Sequence, residues 1–196
     1  MQDIISIIIK IHFNNERYSI RRSYYLSGTP DFKKIIILSD GSKVLIRPIK
    51  PEDALLIIKL YESFSDETRY LRFFTRRKSM TLEEAKKYAN VNYLKDFALV
   101  AQIPDKDELI CVARYFRSED GSRAEIAVVV TDRWQYKTLG TQISEILLEF
   151  AKKNGIKTIY GEVLASNIAI RKIMAESGFD IKKTYEDGIL YFEFNI

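Results

Sequence analysis

Apolar positions recur along this chain at two different periods, and each change of period marks an element. Residues 35–38 and 43–49 are apolar-rich runs on either side of Ser39-Asp40-Gly41-Ser42. Asp-Gly tolerates the positive φ of a tight turn, so the stretch predicts a β-hairpin. Pro51-Glu52-Asp53 places a proline and two acids where the first turn of a helix favours them, and the spacing carries that helix to Phe64. Shorter helices are predicted at 66–74 and 81–90, the second opening on the capping-box pair Thr81 and Glu84. Strands follow at 97–103, 108–116 and 123–130. Helical spacing returns over 139–154 and stops at Asn154-Gly155, a left-handed C-terminal signal. A strand at 157–164, a helix at 167–177 ended by Gly178, and strands at 179–185 and 189–194 about Asp187-Gly188 complete the pattern. This order predicts an α/β chain of mixed α+β type, with one mixed sheet and helices on both of its faces.

The first 34 residues have another texture. Apolar runs and arginines alternate there without sustained helical spacing, and Gly28-Thr29-Pro30 ends the stretch. They read as a loosely docked extension or an added strand, leaving 35–196 as the domain proper. A chain of 196 residues with 46% hydrophobic and 12% aromatic content fills the core of one such domain. Its 31 basic and 27 acidic residues are interspersed rather than clustered, so the net charge of +4 gives no reason to expect nucleic acid as a partner.

Composition narrows the chemistry by elimination. Cys111 is the single cysteine, set in an apolar run, and His12 is the single histidine. A buried small hydrophobe is the expected role of Cys111. Disulfides within the chain, thiolate zinc clusters, histidine-based triads and multi-histidine metal sites are therefore not expected. Acid–base work falls to carboxylates, lysines, tyrosines or water. No apolar run reaches the roughly 20 residues of a membrane span, and no signal peptide is expected, so the predicted location is the cytoplasm.

Residues 131–140, Thr-Asp-Arg-Trp-Gln-Tyr-Lys-Thr-Leu-Gly, join a strong strand to a long helix. Unpaired backbone N–H groups and the positive dipole end make such a junction an anion site. Arg133 and Lys137 add charge beside it, and Trp134 reads as an anchor for the loop. Glu125 lies in an otherwise apolar strand, which is unexpected unless it points into a wet cleft, faces solvent at a strand edge or pairs with Arg123. Glu162, on the next strand, competes with it for an acid–base role. Tyr70, Phe73 and Phe74 have the i, i+3, i+4 spacing of a core-facing stripe, which leaves Arg69 and Arg72 on other faces, able to line an acceptor groove.

Several of these segments, in this order, resemble the GNAT acetyltransferase superfamily. Gln135-Tyr136-Lys137-Thr138-Leu139-Gly140 follows the family's Gln/Arg-x-x-Gly-x-Gly/Ala loop, with Thr138 in place of the first glycine. Asn167 with Gly178-Phe179 matches its second coenzyme-facing element. The likeness narrows to the Pat-type protein lysine acetyltransferase catalytic domain. It rests there on Asp40-Gly41, Ile46-Arg47-Pro48-Ile49-Lys50-Pro51-Glu52-Asp53, Arg69-Tyr70-Leu71-Arg72-Phe73-Phe74, Val112-Ala113-Arg114-Tyr115 and the strand from Arg123 to Val130.

That resemblance implies a central, mostly antiparallel sheet and acetyl-CoA as co-substrate, with no metal. It implies that backbone groups of Val128, Val129 and Val130 hold the pantetheine arm. Gln135, Tyr136, Lys137, Thr138, Leu139, Gly140 and Thr141 would wrap the diphosphate, and Asn167 would support the thioester side. Glu125 would be the general base, with Glu162 as a second candidate and a backbone N–H near Val129 facing the oxyanion. Met174 stands where many relatives carry a tyrosine. The implied reaction is direct acetyl transfer to a lysine of a cytoplasmic protein. Protein N-termini or small amines are alternative acceptors, and a non-catalytic acyl-CoA sensor is the alternative role.

Overall fold

The computed structural model describes residues 31–74 and 77–196, apart from the side chains of residues 169, 172, 173 and 176. The expected extension at 1–34, and His12 with it, thus lies almost wholly outside the described residues. In chain order the elements are β1 (Lys34–Ile37), β2 (Lys43–Pro48), α1 (Ala54–Ser63) after a 3-10 turn at Pro51–Asp53, α2 (Asp66–Phe73), α3 (Leu82–Ala89), β3 (Phe97–Gln102), β4 (Leu109–Arg117) and β5 (Arg123–Val130). They continue with α4 (Leu139–Lys153), β6 (Thr158–Leu164), α5 (Ile168–Glu176), β7 (Lys182–Glu186) and β8 (Ile189–Asn195). Every expected element is present. The seventh strand begins at Lys182 rather than at Phe179, because Phe179 and Ile181 turn inward against the core first.

The strands form one sheet in the order β1-β2-β3-β4-β5-β6-β8-β7. All neighbours are antiparallel except β5 and β6. Helices cover both faces, as the alternation within single strands shows. On β4, Tyr115 points to the α4 side, where Phe97 lies stacked between it, at 5.9 Å, and Phe150 of α4, at 4.2 Å. Its neighbour Arg114 points the other way, onto the Tyr88 ring of α3 at 4.1 Å. A strand's period of two therefore separates an aromatic core under α4 from a second layer under α1–α3, where Arg114 lies among buried apolar residues such as Ile57, Leu60 and Val112. Cys111 is fully buried in that core, and burial raises its thiol pKa above the ordinary value, as suits a small hydrophobe.

One ion pair fixes the entry to this layer. Arg47 at the end of β2 donates to both carboxylate oxygens of Asp53, at 2.7 and 2.8 Å. Asp53 Oδ2 also accepts from the Lys50 N–H at 2.8 Å, and Arg47 Nε donates to Gln102 Oε1 at 2.8 Å. Arg47 and Asp53 are 8% and 5% exposed, so the pair replaces water for both charges.

Candidate active site

The sheet comes apart between its two parallel strands. β5 and β6 pair at Arg123↔Thr158, Ala124↔Ile159 and Glu125↔Tyr160, and no further. Beyond that point β5 stays paired to β4 as far as Val130, and β6 stays paired to β8 as far as Leu164, so each strand has one partner and one open edge. Open backbone edges inside a fold are ready donors and acceptors for an extended ligand. Phe192 of β8 lies across Gly161 of β6 so closely that a Cβ at Gly161 would come within 2.7 Å of its ring. Glycine there lets the ring lie flat over the strand and form part of the wall.

The resulting cleft holds about 300 Å³. Glu125 stands at its apex, the last residue of β5 paired to β6, half-buried and on the same face as Arg114 and Phe116 of β4. Glu162 of β6 is exposed on the opposite wall. Arg72, Phe73 and Phe74 of α2 complete the charged and aromatic lining. Arg123, the alternative partner for Glu125, instead pairs with Glu193 at 2.8 Å.

At the far end of β5 the chain turns through residues 131–138 into α4. Gln135 is buried, and its Nε2 donates to Val130 O at 3.0 Å and Thr68 Oγ1 at 3.3 Å. Tyr136 and Thr138 both have left-handed backbone, with φ of 60° and 68°. Thr138 is the N-cap of α4, yet its hydroxyl makes no cap bond; it donates to Lys137 O and accepts from Gln142 Nε2 at 2.9 Å. The first N–H groups of α4 are thus left for another acceptor, and no acidic residue stands in that first turn. The Lys137 ammonium is engaged elsewhere, 2.9 Å from Asp40 and 4.8 Å over the Trp134 ring. Its bond to Asp40, together with hydrogen bonds from Ser42, lowers that carboxyl to a pKa of about 2, and it ties the loop to the β1–β2 turn.

A second tether joins the same loop to α2. Asp132 accepts from the Ser65 N–H at 2.9 Å, the Ser65 hydroxyl at 2.6 Å and the Thr68 hydroxyl at 2.9 Å. Burial alone would push its carboxyl up, but the bonds from Ser65 and Thr68 outweigh this and hold its pKa below the usual value. Such a group stabilises the fold above its unfolded pKa and loses that contribution as pH falls through the folded one. Asp132→Ala is expected to cost about 1 kcal/mol, because water replaces the acceptor at exposed Ser65 and only the buried Thr68 hydroxyl is left short of one. Urea unfolding at neutral pH measures it, and the deficit should shrink as pH falls below about 4, where the unfolded carboxyl takes up a proton that the native one still resists.

Of the residues singled out from sequence, Glu125, Glu162, Val128, Val129, Val130, Gln135 and Asn167 all line the cleft. Asn167 caps α5, its Oδ1 accepting from Ile170 N at 3.1 Å. Tyr136, Lys137, Thr138, Leu139, Gly140 and Thr141 form the loop and first turn of α4; Leu139 itself is a core side chain, 1% exposed. Met174 is buried. The α2 stripe holds for Phe73, which packs against Tyr61 and Phe64 of the core, and needs correcting at its ends. Tyr70 and Phe74 are 42% and 39% exposed, while Thr68 and Arg69 are the buried residues of that helix. Arg69 is held inward by Phe64 O and Asp66, each at 2.5 Å, so only Arg72 reaches the cleft. Sequence reasoning did not find Thr68 or the Ser65–Asp132 bond. Ser65 was readable as a helix cap, but its partner is 67 positions away.

A sheet parted between parallel neighbours, with a helix starting at the mouth of the gap, is the architecture this chain shares with the acetyltransferase domains it superposes on. An open strand edge and helix N–H groups left without an acceptor are backbone features that an extended, anionic ligand can use. The acetyltransferase (GNAT) domain family matches residues 43–180; the chain belongs to this family and is an acyltransferase with acetyl-CoA as donor. It is 28% identical over 153 residues to Acetyltransferase PA5475 of Pseudomonas aeruginosa, covering 77% of this chain and 82% of that one. To Acetyltransferase Pat of Mycolicibacterium smegmatis it is 30% identical over 139 residues, covering 70% of this chain and 41% of the relative. The crystal structure of the GNAT domain of S. lividans PAT superposes with a TM-score of 0.76 at 28% identity, covering 84% of this chain and 97% of that one. A more distant fold neighbour, yncA from Salmonella typhimurium, was solved with acetyl-CoA; its TM-score is 0.61 at 18% identity.

Proposed function

We propose that this protein transfers the acetyl group of acetyl-CoA directly to lysine side chains of cytoplasmic proteins. The observation that carries this reading is Glu125 at the apex of the β5–β6 gap, between an open strand edge on one side and the α2 wall on the other. The likeness to Pat and to the GNAT domain of PAT supports a lysine acceptor. A free lysine has a pKa of about 10.4, so its ammonium must lose a proton before it attacks a thioester. Glu125, directly or through one water, accepts that proton as the amine adds to the thioester carbon. The Val128 N–H, on the edge of β5 that β6 leaves open, faces the oxyanion as the thiolate of coenzyme A leaves, while the neighbouring Val129 N–H is turned to Val112 of β4. Backbone of Val128–Val130 pairs with the pantetheine arm, and Gln135–Thr141 receives the diphosphate at the start of α4. Glu162 draws the incoming ammonium to the cleft.

Mass spectrometry of lysine peptides and cytoplasmic proteins incubated with enzyme and acetyl-CoA tests this reading. A mass gain of one acetyl group on lysine Nζ is expected. Exclusive modification of N-terminal amines would overturn it.

Thr138 bears on the donor. A β-branched residue in left-handed backbone is strained by about 1–2 kcal/mol, and its Cβ narrows the approach to the loop. Thr138→Gly is expected to tighten acetyl-CoA binding several-fold by calorimetry. Thermal stability should move little, because glycine's extra unfolded-state freedom, about 0.5–1 kcal/mol, opposes the relief.

A further inference from the structure

One charged residue in the cleft wall has no role in the chemistry above. Arg69, Arg72, Arg114 and Arg117 each bury an Nε that has no hydrogen-bond partner among the described residues. Three of them use their outer nitrogens: Arg69 on Phe64 O and Asp66, Arg114 on Tyr88 O, and Arg117 on Gly121 O and Asn154 O. Arg72 does not. Its guanidinium makes no hydrogen bond or ion pair with any described residue, and it rests 5.1 Å from the centre of the Phe73 ring. Burial lowers its pKa from the ordinary arginine value, with Tyr88 and Glu125 opposing and Arg114 adding to the effect. Guanidinium keeps its proton in proteins. A half-buried cation against an aromatic ring, with no partner, is costly until an anion reaches it.

The donor does not bring that anion to this end of the cleft. On the reading above, its diphosphate lies at the N-terminus of α4, beyond Val130. Val130 lies five strand steps beyond Glu125, roughly 16 Å at about 3.3 Å per step. The pantetheine arm and the acetyl group carry no charge. What remains beside Glu125 is the acceptor.

We propose that Arg72 is a specificity-determining residue that binds a carboxylate carried by the acceptor beside its reacting amine. For a protein acceptor this is a lysine flanked by Asp or Glu, a class that rests on the lysine reading above. The wall is complementary to such a pair of charges: the amine faces Glu125 and Glu162, and the carboxylate takes the two-pronged face of the guanidinium.

The test compares kcat/KM for capped Glu-Lys-Glu and Ala-Lys-Ala peptides, with glycine and glycinamide as a small-amine pair. The ratio within each pair is taken on one folded enzyme, so loss of folded protein cancels. The unsubstituted enzyme should favour the carboxylate-bearing acceptor about tenfold or more, as one charge-assisted hydrogen bond gives. That ratio should fall toward one in Arg72→Gln and stay intermediate in Arg72→Lys, which keeps the charge without the fork. Both lysine peptides accepted at equal rates, or an acidic preference that survives in Arg72→Gln, would overturn the assignment of Arg72 and leave lysine transfer standing. Glycine accepted over glycinamide in an Arg72-dependent way, with both peptides refused, would support Arg72 and overturn lysine transfer. Refusal of all four amines would overturn both.

Discussion

Glu125→Gln should lower acetyl transfer to a lysine peptide at neutral pH by about 100- to 10,000-fold, the usual contribution of a positioned general base. The amide keeps the shape of the side chain and the end of the β5–β6 ladder, so acetyl-CoA binding measured by calorimetry should survive. The residual rate should rise about tenfold per pH unit, following the neutral fraction of an amine whose pKa is near 10.4. Glu162→Gln, on the exposed wall, should cost far less and act on KM for the acceptor. Full turnover in Glu125→Gln would remove the base from this residue. A large kcat loss in Glu162→Gln instead would move it across the cleft.

The largest expected effect on stability lies away from the chemistry, at Asp53. Asp53→Ala should destabilise the fold by about 3–5 kcal/mol, because it strands the Arg47 guanidinium at 8% exposure with its bidentate partner gone. In a domain of this size each kcal/mol shifts the melting temperature by about 2–4 °C, so a fall of roughly 10 °C is expected by thermal unfolding. The double substitution Arg47→Met with Asp53→Leu removes both charges together and should cost much less than the single change. A single change as mild as the double would mean that water reaches Arg47. The consequence for function is indirect: the pair anchors the start of α1, which leads to α2 and the cleft wall.

The legible parts of this protein are those written in neighbouring residues. Asp40-Gly41 announces the first hairpin, Thr81 with Glu84 closes the capping box at α3, and Asn154-Gly155 ends α4. Glu125 stood out because a charge in an apolar strand needs water or a partner. The motif Ile46-Arg47-Pro48-Ile49-Lys50-Pro51-Glu52-Asp53 carried family likeness without a visible reason; its reason is the ion pair across the turn. The α2 stripe misled because helical spacing shows which side chains share a face, not what that face meets. Here the tip of α2 meets a cleft, so Phe74 lies open while Arg69 turns inward to Phe64 O and Asp66.

The sequence by itself determined the number and order of elements, the strand–loop–helix unit that begins at Arg123, and the family. Turn chemistry, caps and periodicity act over a few residues and need no knowledge of the rest of the fold. Only the tertiary structure decided where β5 and β6 part, which arginine of α2 enters the gap, and that Asp132 ties the loop before α4 to Ser65 and Thr68. Those outcomes depend on groups 64 and 67 positions apart competing for the same space and the same hydrogen bonds. No local pattern encodes such a contest, because its result is set by which buried polar groups find partners once the sheet has formed.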